Sequence, residues 1–244
     1  MSRHWLLIAG SEFTLLRRSP FTLVMGAVLP AALGLMILWA EADTGRAGPG
    51  ATAGLLLVTV IALTSYVSGT TTLAARRRQS VLRRLRASGA SDAAILAGVL
   101  APSAALTAAQ ILLLFGIAAA GDGLGPVAAG PLLLAVVAGT TLGCALAALT
   151  AAVTSAPELA QLTTSPIALA WLGGALWTAR TAPDEVSTLM LALPGAAVTQ
   201  LARIAWHVPG ATGLFPAAVF LVLPALVAVP MAARLFRWDP RDTS

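Results

Sequence analysis

Tyr66-Val67-Ser68-Gly69 places a serine beside a glycine inside a long apolar run, the setting of a nucleophile working at membrane depth. The position before Val67 that such a motif gives to glycine is Tyr66. A serine also needs an adjacent base, and His4 and His207 both lie outside the apolar runs. Ser68 is therefore read as a packed or pore-lining hydroxyl. Other chemistries fail on residue type. Cys144 is the only cysteine, so an internal disulfide is excluded and a thiolate metal site is disfavoured. All 15 basic residues are arginine. Without lysine there is no Walker P-loop and no Schiff base. The chain is read as a non-enzyme with no metal or cofactor of its own.

The densest set of functional groups is Ala75–Ser91, ARRRQSVLRRLRASGAS, with arginine at 76, 77, 78, 83, 84 and 86. On a helix over Arg76–Ala87, Val81, Leu82 and Leu85 fall close together. Arg76, Arg77, Arg78, Arg83, Arg84 and Arg86 spread around the remaining sides. Gly89 can end that helix, and Ser91 can cap the next one with Asp92 in its first turn. Such a block orients a membrane protein and attracts anionic lipid, worth about 1 kcal/mol per arginine. It also suits docking of an acidic soluble partner. The residues alone leave both readings open.

The elements around this block are apolar. The chain of 244 residues is 58% hydrophobic and 10% charged, against roughly 25% charged in soluble domains. Its solvent must be lipid. Six runs reach the roughly 20 residues needed to cross a bilayer. They lie near Phe21–Ala40, Ala51–Ala74, Ala93–Ala119, Val127–Val153, Leu162–Ala179 and Thr212–Ala233. Their continuity predicts helices rather than alternating barrel strands. Twelve of the arginines fall on one side, leaving Arg46, Arg180 and Arg203 on the other. The positive-inside rule puts the twelve, and both termini, in the cytoplasm.

Thr181–Pro209 is apolar but broken by Leu193-Pro194-Gly195. A seventh span there would throw the basic tail outside. Two short helices dipping in from the outer face and returning are expected instead, with Asp184 and Glu185 in the first turn of the first. Residues 1–20 read as an amphipathic interfacial segment. Arg17-Arg18-Ser19-Pro20-Phe21 has the form of a twin-arginine signal, but the following run of about 20 residues exceeds a signal core of 7–15. The whole chain is taken as one all-α transmembrane domain, 1–244, with a cytoplasmic loop at 75–91 and an external re-entrant hairpin at 181–209.

Every charged residue lies in a predicted loop or at a span edge. Proton relays need ionisable groups at membrane depth, so an ion-coupled small transporter is disfavoured, as is a membrane enzyme. The polar residues inside the spans are neutral. Helix–helix hydrogen bonding accounts for many of them, but span two carries an unusually dense set. Thr64, Ser65, Tyr66 and Ser68 there, with Thr164, Trp171 and Trp177 in span five, are the expected walls of a substrate pathway. Gly139 and Gly143 form a small-xxx-small pair suited to close packing within the chain.

The order of these features resembles a permease subunit of the type-2 ABC exporter family, the ABC-2 type transporter permeases. The features are the amphipathic segment SRHWLLIAGSEFTLLRRSP, the block RRRQSVLRRLRASGAS after span two, and Gly173-Gly174 in span five. Pro183, Leu193-Pro194 and Arg203 then follow in the external region. The resemblance implies that two permease chains pair, as a homodimer, and that each docks a separate ABC ATPase supplying ATP and Mg. It makes the arginine block a coupling helix, with Glu158 in the loop between spans four and five as a second contact. The family often has a glutamate where Arg76–Arg78 stand. The expected cargo is a lipophilic or amphipathic molecule: a drug, an antibiotic or a lipid. A permease for haem or a polysaccharide precursor is the alternative. No nucleic-acid partner is expected, and the expected location is a bacterial cytoplasmic membrane.

Overall fold

In lipid every backbone polar group needs a partner within the chain, and a helix supplies it residue by residue. The computed structural model describes residues 8–12, 14, 24–45, 48–79, 81–87, 89, 91–121, 127–154, 156–211 and 213–236. It is 88% helical, with no strand among the described residues. Helix α1 is Gly26–Thr44 and α2 is Pro49–Arg78. Next come α3 (Val81–Ala87), α4 (Asp92–Ala120) and α5 (Ala129–Val153). The last three are α6 (Pro157–Arg180), α7 (Pro194–Ala205) and α8 (Leu214–Leu235). Helices α1, α2, α4, α5, α6 and α8 are long and apolar enough to span a bilayer. The chain is a multi-pass membrane protein.

Two boundaries differ from the hydropathy reading. Helix α2 does not stop where the apolar residues stop but continues through Arg78, ending at Gln79. Arginine is a good helix former, and cations suit a helix C-terminus. Arg76, Arg77 and Arg78 are therefore the last turn of a span. The short helix α3 is separate and carries Arg83, Arg84 and Arg86. Beyond it, Gly89 takes a positive φ of 84°, and the Ser91 side chain accepts from the Ala94 amide at 3.3 Å to start α4.

The outer hairpin also differs. Its first limb holds only the 3-10 turns Pro183–Glu185 and Met190–Ala192, and its second is α7. Leu193 is extended (φ −81°, ψ 122°) because the following proline disfavours the helical region. Pro194, with its φ already set, then starts α7.

At the centre stands α2: 83% of its most apolar window is buried, against 17% for α1. Helix α7 is wedged among α2, α5, α6 and α8. Glycines permit the approach. A Cβ on Gly54 would lie 2.7 Å from the Thr199 backbone, and one on Gly195 would collide with the Trp171 carbonyl. Trp171 lies nine residues before the end of α6, so α7 starts ~14 Å below that end. Its other end returns to Gly50, which faces Arg203, and the Ala128 amide donates to the Ala205 carbonyl at 2.7 Å.

Within α2, Ile61–Ser68 is a π-helical stretch, a rare geometry associated with functional sites. The wide turns fit because the opposing face of α5 is small. Gly139 faces Ile61 and Gly143 faces Ser65 and Ile61, which is the close packing expected of that glycine pair. A second π turn, Val24–Val28, includes the first residues of α1.

Candidate functional site

The basic end of the bundle is built on the last turn of α2. Arg76 reaches the helical stretch at 8–12: its Nη2 is 2.7 Å from Glu12 Oε2, and its Nε donates to the same oxygen at 2.9 Å. Arg77, only 2% exposed, turns into the bundle. Its Nη1 donates to the Ala152 carbonyl at 3.2 Å, and its Nη2 donates to the carbonyl of Thr154. Those carbonyls lie at the C-terminus of α5, where unpaired acceptors and negative partial charge accumulate. Arg78 points outward, and its Nη1 donates to both carboxylate oxygens of Glu158, at 2.7 and 3.0 Å.

Helix α3 is anchored by its apolar face. Leu82 is fully enclosed in a cluster with Leu73, Ile95 and Val99, which Ile8 joins. Leu85 packs against that cluster, and Val81 is half-buried. Arg84 is exposed, its Nη2 donating to the Gln79 carbonyl at 3.3 Å. The side chains of Arg83 and Arg86 lie outside the described residues. The expected docking set is thus divided. Arg78, Arg84 and Glu158 face out, while Arg77 and Leu82 tie the last turn of α2 and α3 to α5 and α4.

The expected pathway residues are divided as well. Thr64 donates to the Gly26 carbonyl at 3.1 Å and to Gln110 Oε1 at 2.7 Å. Gln110 Nε2 donates to the Ala27 carbonyl at 2.8 Å, so side chains from α2 and α4 satisfy carbonyls in the π turn that opens α1. Ser65 and Thr107 share a hydrogen bond of 2.7 Å, and Tyr66 and Thr150 one of 3.1 Å. Trp171 is completely enclosed. Thr64, Ser65, Tyr66 and Trp171 therefore sit inside the folded chain, against the expectation that they line an open wall. Alternation of polar and apolar residues does not distinguish a cavity from a helix contact.

Ser68 and Thr164 do meet across a shared space. They line a groove of about 740 Å³ between α1, α2 and α6, together with Thr71, Gln161, Ser165 and Glu158. Thr71 was missed by sequence reasoning as a distinct wall residue, although it stands one turn from Ser68. The groove reaches the basic end through Glu158, which also pairs with Arg78. Trp177 lies higher on α6 and is exposed, in a stripe with Leu162, Leu169, Gly173 and Leu176.

At the opposite end, the sequence placed Arg203 in the external re-entrant region and assigned it no role. It is buried on α7, and its Nη2 donates to the Ala179 and Thr181 carbonyls at 3.2 and 3.0 Å. Burial pulls its pKa below the ordinary arginine value. Its three-to-four-residue spacing from Thr199, Gln200 and Trp206 was the available signal.

A family model described as ABC-2 family transporter protein matches residues 47–234. That range contains the arginine block, the groove walls on α2 and α6, and α7. Among curated proteins none matches this chain.

Proposed function

Because this chain belongs to the ABC-2 transporter family, as a membrane permease subunit of an ABC transporter, we propose that it is half of a homodimeric exporter driven by a separate ATPase. The partner supplies ATP and Mg. It docks on α3 through Arg83, Arg84 and Arg86, with the Arg78–Glu158 pair as a further contact. The observation that carries this reading is the anchoring of α3. Its apolar face is held in the α2–α4 core, and Arg77 of the adjoining turn grips the end of α5. A push on α3 is therefore delivered to α2, the most enclosed span, and to the groove it lines.

The groove is a half-pathway that a second copy completes. Support comes from its position beside the exposed apolar stripe of α6 and the largely exposed α1. Ser68, Thr164 and Trp177 meet cargo in this reading. Thr64, Ser65, Tyr66 and Trp171 hold the shape of α2 and α6. A wall of hydroxyls, one amide and alkyl groups with one carboxylate at its mouth suits a lipophilic or amphipathic cargo. The basic end faces the cytoplasm of a bacterial cell, both termini with it, and the 181–209 hairpin faces out. One transmembrane domain with an interfacial amino-terminal segment contains all these parts.

Purification of the full chain from its native membrane, with identification of co-purifying proteins, tests the assignment. A Walker-motif ATPase in stoichiometric amount is expected. Cargo accumulation by the purified chain without any ATPase would refute it.

A further inference from the structure

The end of the bundle remote from α3 carries a cavity that the transport reading does not use. It measures about 700 Å³ and lies between the starting residues of α2, the end of α6 and the end of α7. Arg180, Arg203, Trp206 and His207 line it, and no carboxylate does among the described residues. Two acids stand behind its rim: Glu41, whose Oε1 accepts from the Gly48 amide at 2.7 Å, and Asp184, which follows Pro183 and lies beside Gly210.

Arg203 is 4% exposed. While its Nη2 is held by two carbonyls of the cavity wall, its Nη1 is buried and has no acceptor. The Nε1 of Trp206 is also buried without an acceptor. That indole is fixed edge-on against Phe115, with ring centroids 5.6 Å apart. Buried donors are almost always paired, and each exception calls for an explanation. An unpaired one bears the full desolvation penalty of the group. Both orphans here are donors, so the missing partner is an acceptor, and the guanidinium sets its charge as negative. Arginine's fork matches phosphate and carboxylate oxygens. The volume falls within the range of small-molecule sites and has room for more than a bare ion.

We propose that this cavity binds an oxyanion, the phosphate or carboxylate of a small ligand or lipid headgroup, with Arg203 and Trp206 donating to its oxygens and Arg180 adding charge at its rim. The site is separate from the groove and from the arginine helix.

The test titrates the full chain in neutral detergent with two probes, dihexanoylphosphatidylglycerol and inorganic phosphate. Tryptophan fluorescence and the thermal unfolding midpoint report binding. Saturable binding of at least one probe is expected. It should weaken about tenfold in Arg203→Gln and several-fold in Arg180→Gln, and stay unchanged in Arg234→Gln, which removes one exposed charge elsewhere. Arg180 is exposed, so its variant separates ligand contact from any folding defect at Arg203. Binding of the lipid alone identifies a headgroup site, and binding of phosphate alone or of both identifies a site for free anions. Absence of saturable binding with both probes overturns the proposal, as does parental affinity in both Arg203→Gln and Arg180→Gln. No ATPase is present, so the result does not depend on the permease assignment.

Discussion

Arg76, Arg77 and Arg78 are adjacent in sequence but meet different partners, because successive helix residues point about 100° apart. The consequences of removing them should differ accordingly. Arg77→Ala strips the Ala152 and Thr154 carbonyls of a buried, charged donor and should lower stability by about 3 kcal/mol. Arg78→Ala breaks an exposed pair with Glu158, and exposed pairs contribute about 0–1 kcal/mol. Thermal unfolding of the detergent-solubilised chain measures both; equal losses would contradict the inward placement of Arg77. Gly195 offers a second residue-scale test. A methyl group there meets the Trp171 carbonyl, so Gly195→Ala should cost about 1–3 kcal/mol by the same measurement. Neither effect is legible in sequence. Three arginines in a row announce a basic end, and a glycine after a proline announces a break. Which one is gripped from inside is decided by the neighbouring helix.

Helix α3 is too short to be stable by itself. Its order comes from Leu82 and Leu85 on the α2–α4 core, and that sharpens the functional prediction. Replacing Arg83, Arg84 and Arg86 together with alanine should abolish co-purification of the ATPase while membrane insertion and the unfolding midpoint stay near parental values. Leu82→Ala should act the other way round, lowering stability by about 2–5 kcal/mol. A triple variant that still holds its ATPase at the parental ratio would remove α3 from the docking surface. The spans were legible at this scale because long apolar runs have one solution in lipid. Helix α7 was legible only as part of a re-entrant segment. Its Thr199, Gln200 and Arg203 carry no sequence signal of depth, yet all three are buried where α2, α5, α6 and α8 surround the helix.

For the molecule as a whole, α4, α5 and α8 expose apolar residues as lipid-facing spans do, and so do α1 and α6 on either side of the groove, including Trp39 at 72% and Leu169 at 66% exposure. In the proposed homodimer, a second copy on this face would close the groove. In a Cys144→Ala background, Gly173→Cys or Leu169→Cys on α6 should give a cross-linked homodimer in native membranes, read as a doubled mass on denaturing gels. Monomer alone from both positions would place the seam elsewhere. Composition determined the solvent, the number of crossings, the side that carries the arginines, and the lack of a lysine-dependent nucleotide site. Those properties are sums over local residues, so they survive without knowledge of contacts. The tertiary structure alone decided that Arg77 and Arg203 are buried, that Thr64, Ser65 and Tyr66 are enclosed while Ser68 faces a groove, and that the hairpin is one helix deep in the bundle. Each of these depends on which glycine or alanine of a distant helix stands opposite, and one-dimensional spacing carries no record of that pairing.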